Sequence, residues 1–215
     1  MNQISINDID VLEKASRVIL DGGVVVVPTD TVYGLACDAF NADAVEKLSL
    51  IKERDRGKAI PVFVNDRALL DKVALLGEPM GTILFNFWPG ALTAVLLAQS
   101  VFPEVLQAGT PTVGVRIPNY SFILELTGRL GRPLAVTSAN KSGQGASTRI
   151  IRVVHDFQEG VAPDLIVDAG DLPESIPSTV IDCTKTPPEV LREGKISKSQ
   201  FFDVARQYFS PTNYK

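Results

Sequence analysis

Histidine is nearly absent from this 215-residue sequence; His155 is the only one, which excludes a His-rich metal site and a Ser-His-Asp triad built on any other base. Cysteine is almost as scarce. Cys37 and Cys183 lie far apart and outside any CxxC spacing, so neither a zinc knuckle nor a disulfide framework is supported, and a reducing cytosol is the expected setting. No apolar run reaches the roughly 18 residues a bilayer span requires, and the start, MNQISINDID, lacks a basic segment leading into an apolar one. The chain is expected to be soluble, cytoplasmic and without a membrane partner. Positive charge is not in excess: 21 Lys and Arg stand against 25 Asp and Glu, a net charge of -4, which argues against a broad phosphate-neutralising surface. Any anion site must be a local cluster. The G-x-x-x-x-G-K-[ST] and G-x-G-x-x-G patterns are both missing, as are internal repeats and low-complexity linkers.

What is present is enough apolar side chain for a full core: 45% of residues are hydrophobic and 21% charged, as expected for one domain over residues 1–215. Helical spacing predicts helices over 8–20, 41–52, 67–76, 121–129, 149–157 and 198–208. Asp8 is the candidate N-cap of the first, and Gly22 and Gly23 its stop. The β-branched run VVVVP (24–28) shows no polar alternation, which suits a strand buried on both faces. Further strands are predicted at 60–64, 92–98, 112–117, 134–137, 165–168, 179–183 and 189–191. Several successive strands have no helix between them, so the expected fold class is α/β with a mixed sheet, not a purely parallel one.

Three segments carry candidate chemistry. PTDTVYGL (28–35) leaves a buried strand with two hydroxyls, a carboxylate and a phenol, where α/β sheets keep ligands; a capped turn using Thr29 and Asp30 is the plainer alternative. KERDRGK (52–58) packs Lys52, Arg54, Arg56 and Lys58 into seven residues of an acidic protein. Each cation within about 4 Å of a phosphate gains on the order of 4 kcal/mol at an effective dielectric of 20, before desolvation, so a polyphosphate fits; a solvated loop offsetting a helix dipole is the alternative. TSANKSGQGAST (137–148) follows an apolar strand and offers amides and hydroxyls to a nucleotide without using charge. Arg116 and Arg192 each interrupt an otherwise apolar strand; either snorkels at an edge or, if buried, needs an anionic partner. His155 reads as a surface residue on a helix whose core face is Ile151, Val154 and Phe157, and Trp88 in FWPGAL as a core anchor at a turn.

Seven co-linear motifs, PTDTVYGL, K-x-R in KERDRGK with Lys58 downstream, FWPGALT, TVGVRIP, S-x-N in TSANKSG, PSTVID and VLREG, resemble the YrdC-like family of threonylcarbamoyl-AMP synthases. The likeness runs from about residue 9 to about residue 197. It implies a YrdC-like twisted mixed sheet with flanking helices around a concave, positively charged cavity. It also implies synthesis of threonylcarbamoyl-AMP and pyrophosphate from L-threonine, bicarbonate and ATP, with Mg2+ accompanying the ATP and no protein metal site. The product would feed a threonylcarbamoyl transferase complex that modifies tRNA beside the anticodon, with tRNA or double-stranded RNA as a possible direct contact. The family's ATP positions fall on Lys52, Arg54, Lys58, Thr112, Ser138, Asn140 and Arg192, and its threonine positions on Thr31, Arg116 and Ser178. Lys52, Arg54 and Lys58 would take the catalytic role by stabilising charge on the leaving pyrophosphate. Departures from the pattern are Asp55, where proline is common, and Phe63, where many relatives carry histidine. The length implies the short, single-domain form. A non-catalytic RNA-binding or ribosome-associated module using the same cavity is the alternative function.

Overall fold

The computed structural model describes residues 2–99 and 102–208. In chain order the elements are β1 (Asn2–Ser5), α1 (Val11–Leu20), β2 (Val25–Val27), β3 (Gly34–Asp38), α2 (Ala42–Lys52), β4 (Val62–Phe63), α3 (Arg67–Val73), β5 (Ala74–Leu75) and α4 (Met80–Phe85). There follow β6 (Leu92–Ala98), α5 (Glu104–Gln107), β7 (Thr112–Arg116), α6 (Ser121–Leu130), β8 (Leu134–Ser138), α7 (Ile150–Asp156), β9 (Leu165–Asp168), β10 (Thr179–Asp182), β11 (Glu189–Arg192) and α8 (Lys198–Ala205).

One sheet runs in the order β1-β9-β2-β3-β8-β4-β7-β6-β10-β11, with β5 paired beside β6. The pairs β1/β9, β9/β2, β4/β7 and β6/β10 are parallel and the others antiparallel, so the sheet is mixed as expected. The VVVVP run behaves as its composition requires. Val24 and Val26 join the core on one face, with Tyr33, Leu35, Leu48 and Ile51, while Val25 and Val27 join the core on the other, with Ala15, Ile19, Ile123 and Leu126. Helices α1 and α6 thus cover one side of this strand and α2 the other.

Several expectations need correction. The first helix starts at Val11, because Asp8 Oδ1 accepts from the Asp10 amide in a turn and does not cap the helix. The helix expected over 67–76 ends at Val73, since Ala74 and Leu75 pair with Ala98 and Leu97. The strand expected over 60–64 is ladder-paired only at Val62 and Phe63. On α7 the core face is Val153 and Phe157, not Ile151, which is 66% exposed; Val154 is half-buried against the same cluster and His155 is exposed as anticipated. β1, β3, β5, α4 and α5 were not anticipated. Trp88 does anchor the core, and its Nε1–H donates to Leu92 O at 2.8 Å. Among the described residues no helix is long and apolar enough to cross a membrane.

Candidate functional site

The antiparallel turn-back from β2 to β3 determines where the octapeptide PTDTVYGL lies. Thr29 Oγ1 donates to Val32 O at 2.7 Å and accepts from the Thr31 amide at 3.1 Å, a hydroxyl-stabilised turn. That turn frees Asp30, whose Oδ1 accepts from Arg116 Nη2 at 2.6 Å. The Asp30 carboxylate therefore accepts from Arg116 instead of capping a backbone amide, and is the anionic partner that a buried Arg116 demands. Arg116 is 3% exposed. Its Nε donates to Gly90 O at 2.9 Å and its Nη1 to Thr31 Oγ1 at 3.3 Å, and the guanidinium lies 5.3 Å from the Phe63 ring centroid. Burial pushes the Arg116 pKa below its ordinary value, Asp30 pulls it back up, and Arg192 adds a smaller downward push. Three of the five guanidinium N–H groups are committed; one on each terminal nitrogen remains for a ligand carboxylate.

On β7 the residues Thr112, Gly114 and Arg116 alternate onto one face by the two-residue period of a strand. A β-carbon at Gly114 would meet Pro61 Cβ at 3.3 Å and Thr93 Cγ2 at 3.4 Å, so the glycine lets neighbouring segments approach closely. This face, with β6, β10 and the ends of β8 and β11, forms the floor and walls of a cavity of about 340 Å³. Ligand clefts begin at about 300 Å³.

Lys52, the last residue of α2, is 5% exposed. Its Nζ lies 2.7 Å from Ser138 O, 3.2 Å from Ser138 Oγ, 3.0 Å from Asn140 O and 3.1 Å from Asn140 Oδ1. The K-x-R and S-x-N motifs, 86 residues apart in sequence, are therefore joined through one ammonium. Burial, and secondarily the charge of Arg54, lower the Lys52 pKa to about 8. Arg54 donates to Lys58 O at 2.9 Å and Ala59 O at 2.6 Å, knitting its own loop while lining the cavity. Burial lowers its pKa as well.

At the opposite wall Ser178 Oγ is 2.9 Å from Thr93 Oγ1, and Arg192 Nη2 donates to Ser178 O at 2.8 Å. The turn after β11 is pinned by Thr179 Oγ1, which accepts from Gly194 N at 2.9 Å and Ile196 N at 3.1 Å. A β-carbon at Gly194 would lie 2.2 Å from Pro177 O, so only glycine permits this approach.

Eight of the ten candidate residues line this one cavity: Thr31, Lys52, Arg54, Thr112, Arg116, Ser138, Ser178 and Arg192. Two do not. Asn140 is buried behind Lys52, with its amide donating to Lys141 O and Gln144 O. Lys58 is exposed on the loop, contributing its carbonyl to Arg54, and Arg56 is turned away onto Glu46. The four cations of KERDRGK thus separate into two at the cavity and two outside it. Sequence reasoning missed Asp30 as the Arg116 partner and Thr93 as the Ser178 partner.

The arrangement is cationic where it can meet an anion: the cavity lining holds Lys52, Arg54, Arg116 and Arg192 and, among the described residues, no carboxylate. The profile of the Sua5/YciO/YrdC family, described as "Telomere recombination", matches residues 17–194. The chain belongs to the Sua5/YciO/YrdC family. Among its relatives, the threonylcarbamoyl-AMP synthase of Bacillus subtilis is 36% identical over 202 residues, covering 93% of this chain and 57% of that protein. The synthase of Pyrococcus abyssi is 35% identical over 84% of this chain and 53% of its own length, so the chain spans little more than half of these two relatives. A putative threonylcarbamoyl-AMP synthase of Methanocaldococcus jannaschii is 33% identical and is covered over 86% of its length. Among solved structures, P. abyssi Sua5 complexed with L-threonine superposes with a TM-score of 0.88 at 31% identity, covering 96% of this chain and 61% of that one. E. coli YciO superposes with a TM-score of 0.81 at 26% identity, covering 94% and 98%. The family's mixed α/β fold is the fold observed here.

Proposed function

We propose that this protein is an L-threonylcarbamoyladenylate synthase, a nucleotidyltransferase that converts L-threonine, bicarbonate and ATP to threonylcarbamoyl-AMP and pyrophosphate. The observation that carries the reading is the single cavity with Lys52 and Arg54 at one wall and the Asp30-paired Arg116 at another. The relatives named for this product, and the threonine complex of P. abyssi Sua5, support it.

In this reading the free N–H groups of Arg116 clamp the threonine carboxylate, and the hydroxyls of Thr31 and Ser178 read the threonine side chain or its carbamate. A site that bonds a substrate hydroxyl rejects the analogue lacking it by roughly 10⁴-fold, so threonine is separable from valine. The amine of threonine condenses with bicarbonate to a carbamate and water; a carbamate oxygen attacks the α-phosphorus of ATP and pyrophosphate departs. No side chain serves as nucleophile. Arg54 and Arg192, with Ser138 and Thr112, would hold the nucleotide and stabilise charge on the leaving pyrophosphate, so catalysis is positioning plus electrostatics. Lys52 contributes by fixing Ser138 and Asn140 and by its buried charge. Lys58 would act from the rim, on a loop that Arg54 anchors.

Magnesium would travel with the ATP. The cavity lining offers cations and neutral hydroxyls, Asp30 is committed to Arg116, and no cluster of three His, Cys, Asp or Glu occurs among the described residues. Such a donor set fits an ion held by phosphate oxygens and water, the usual habit of this reluctantly dehydrated cation. It would neutralise phosphate charge. Product would pass to a tRNA-modifying threonylcarbamoyl transferase complex in the cytosol, where the free thiols of Cys37 and Cys183 would persist. The test is threonine- and bicarbonate-dependent pyrophosphate release from ATP.

A further inference from the structure

The S-x-N loop is fastened to the end of α2 by more than Lys52. The Ser142 amide donates to Lys52 O at 2.8 Å, and the Asn140 amide nitrogen donates to Lys141 O at 2.9 Å and Gln144 O at 2.7 Å, so the loop closes upon Asn140. Outside that closure Lys141 reaches back across the motif, with its Nζ 2.8 Å from Glu53 Oε1. The Lys141 side chain is only 12% exposed and its ammonium sits 5.9 Å from the Phe157 ring centroid, whereas Glu53 is 66% exposed. A lysine side chain this buried depends on its carboxylate partner more than a solvated surface pair does.

Glu53 occupies a position that favours glycine. Its φ of 54° and ψ of 44° are left-handed, and its amide caps α2 by donating to Leu50 O and Ser49 O. A glutamate tolerates this backbone at a cost, and its carboxylate reaches the only charged residue within TSANKSGQGAST.

We infer that Glu53 and Lys141 form a latch, outside the cavity, that presses the loop carrying Asn140, which follows Ser138 at the end of β8, onto Lys52 and thereby sets nucleotide affinity. Both are positioning residues. The inference rests on the assignment of the K-x-R and S-x-N end to ATP, and it requires that loosening the latch leave the Arg116 end unaffected.

The test compares Lys141→Met, Glu53→Gln and the charge-exchanged double variant Glu53→Lys/Lys141→Glu in the full chain. ATP affinity is read by titration calorimetry and the two Michaelis constants by pyrophosphate release. Each single variant is expected to weaken ATP binding about three- to tenfold, with the threonine KM within twofold of the parent and the thermal midpoint within a few degrees. The double variant is expected to recover to within twofold. Unchanged ATP affinity in the singles, equal losses for ATP and threonine, or a double variant no better than the singles overturns the latch. Should Lys141→Met fail to fold, Glu53→Gln, on an exposed side chain, carries the same comparison. Parent protein that binds ATP yet releases no pyrophosphate sinks the synthase reading while the calorimetry still decides the latch. Parent protein that binds no ATP overturns both.

Discussion

Arg116 and Asp30 form an ion pair of 2.6 Å with side chains 4% and 12% exposed, and of the two Arg116 lines the cavity. The aspartate both offsets the guanidinium charge and orients its plane, leaving the remaining N–H groups for the threonine carboxylate proposed above. Removing one member of a buried pair leaves the other uncompensated, which typically costs about 3 kcal/mol. Asp30→Asn is expected to lower the unfolding free energy by roughly that amount and to raise the threonine KM about tenfold. Urea unfolding with unchanged midpoint and slope would show that Asp30 has no such role.

Arg116→Lys keeps the charge and loses the fork. A point-like ammonium cannot make two parallel bonds to a carboxylate while also holding Gly90 O and Asp30. The threonine KM should rise by roughly 10- to 100-fold, about 1.4 to 3 kcal/mol, with the ATP KM within threefold. Equal losses for both substrates would remove the carboxylate assignment.

Arg54 and Lys58 separate in effect because they separate in space. Arg54 lines the cavity and bonds two loop carbonyls, so Arg54→Ala should weaken ATP binding at least about tenfold and cost roughly 1 kcal/mol of stability. Lys58 is exposed, and Lys58→Ala should weaken ATP only about threefold at unchanged stability, as befits a solvated cation near a phosphate. Calorimetry and thermal melts of the two variants side by side distinguish this ordering from its reverse.

Lys52 supplies a pH signature. Its pKa falls from an ordinary 10.5 to about 8 because burial disfavours the ammonium and Arg54 adds to the effect. Between about pH 8 and 10.5 the unfolded chain holds this proton and the folded chain does not, so this group's contribution to stability rises with pH across that window. Bound phosphate reverses the preference by favouring the charged lysine. ATP binding should therefore take up a proton above about pH 8 and weaken as pH rises from 8 to 9.5, with little change between 7 and 7.5. Calorimetry in buffers of different ionisation enthalpy reads the uptake; none at pH 8.5 would contradict the assignment.

The site was more legible than the strand that carries it. Hydroxyls, cations and glycines interrupt apolar runs, so PTDTVYGL, KERDRGK and TSANKSG stood out by composition, and most of their candidate residues do meet at one cavity. β3 carries little strand signal of its own, since Gly34–Asp38 (GLACD) has no β-branched residue; pairing with β2 and β8 makes it a strand. On α7 spacing alone could not choose between Ile151 and Val153, which lie on different faces; packing against the core decided for Val153. The requirement that a buried arginine find an anion already pointed beyond Arg116, yet which carboxylate answers it depends on the turn made by Thr29. Lys58 looked equivalent to Arg54 by charge, but a four-residue excursion in a loop is enough to aim a side chain outward.

The most direct measurement is pyrophosphate release by the purified chain with ATP and magnesium, adding L-threonine and bicarbonate separately and together. Release that requires both, with threonylcarbamoyl-AMP appearing in equal amount by mass spectrometry, is the expected result. Folded protein that binds ATP but releases no pyrophosphate when both are present, or releases it equally without threonine, would contradict the assignment of this cavity to threonylcarbamoyl-AMP synthesis.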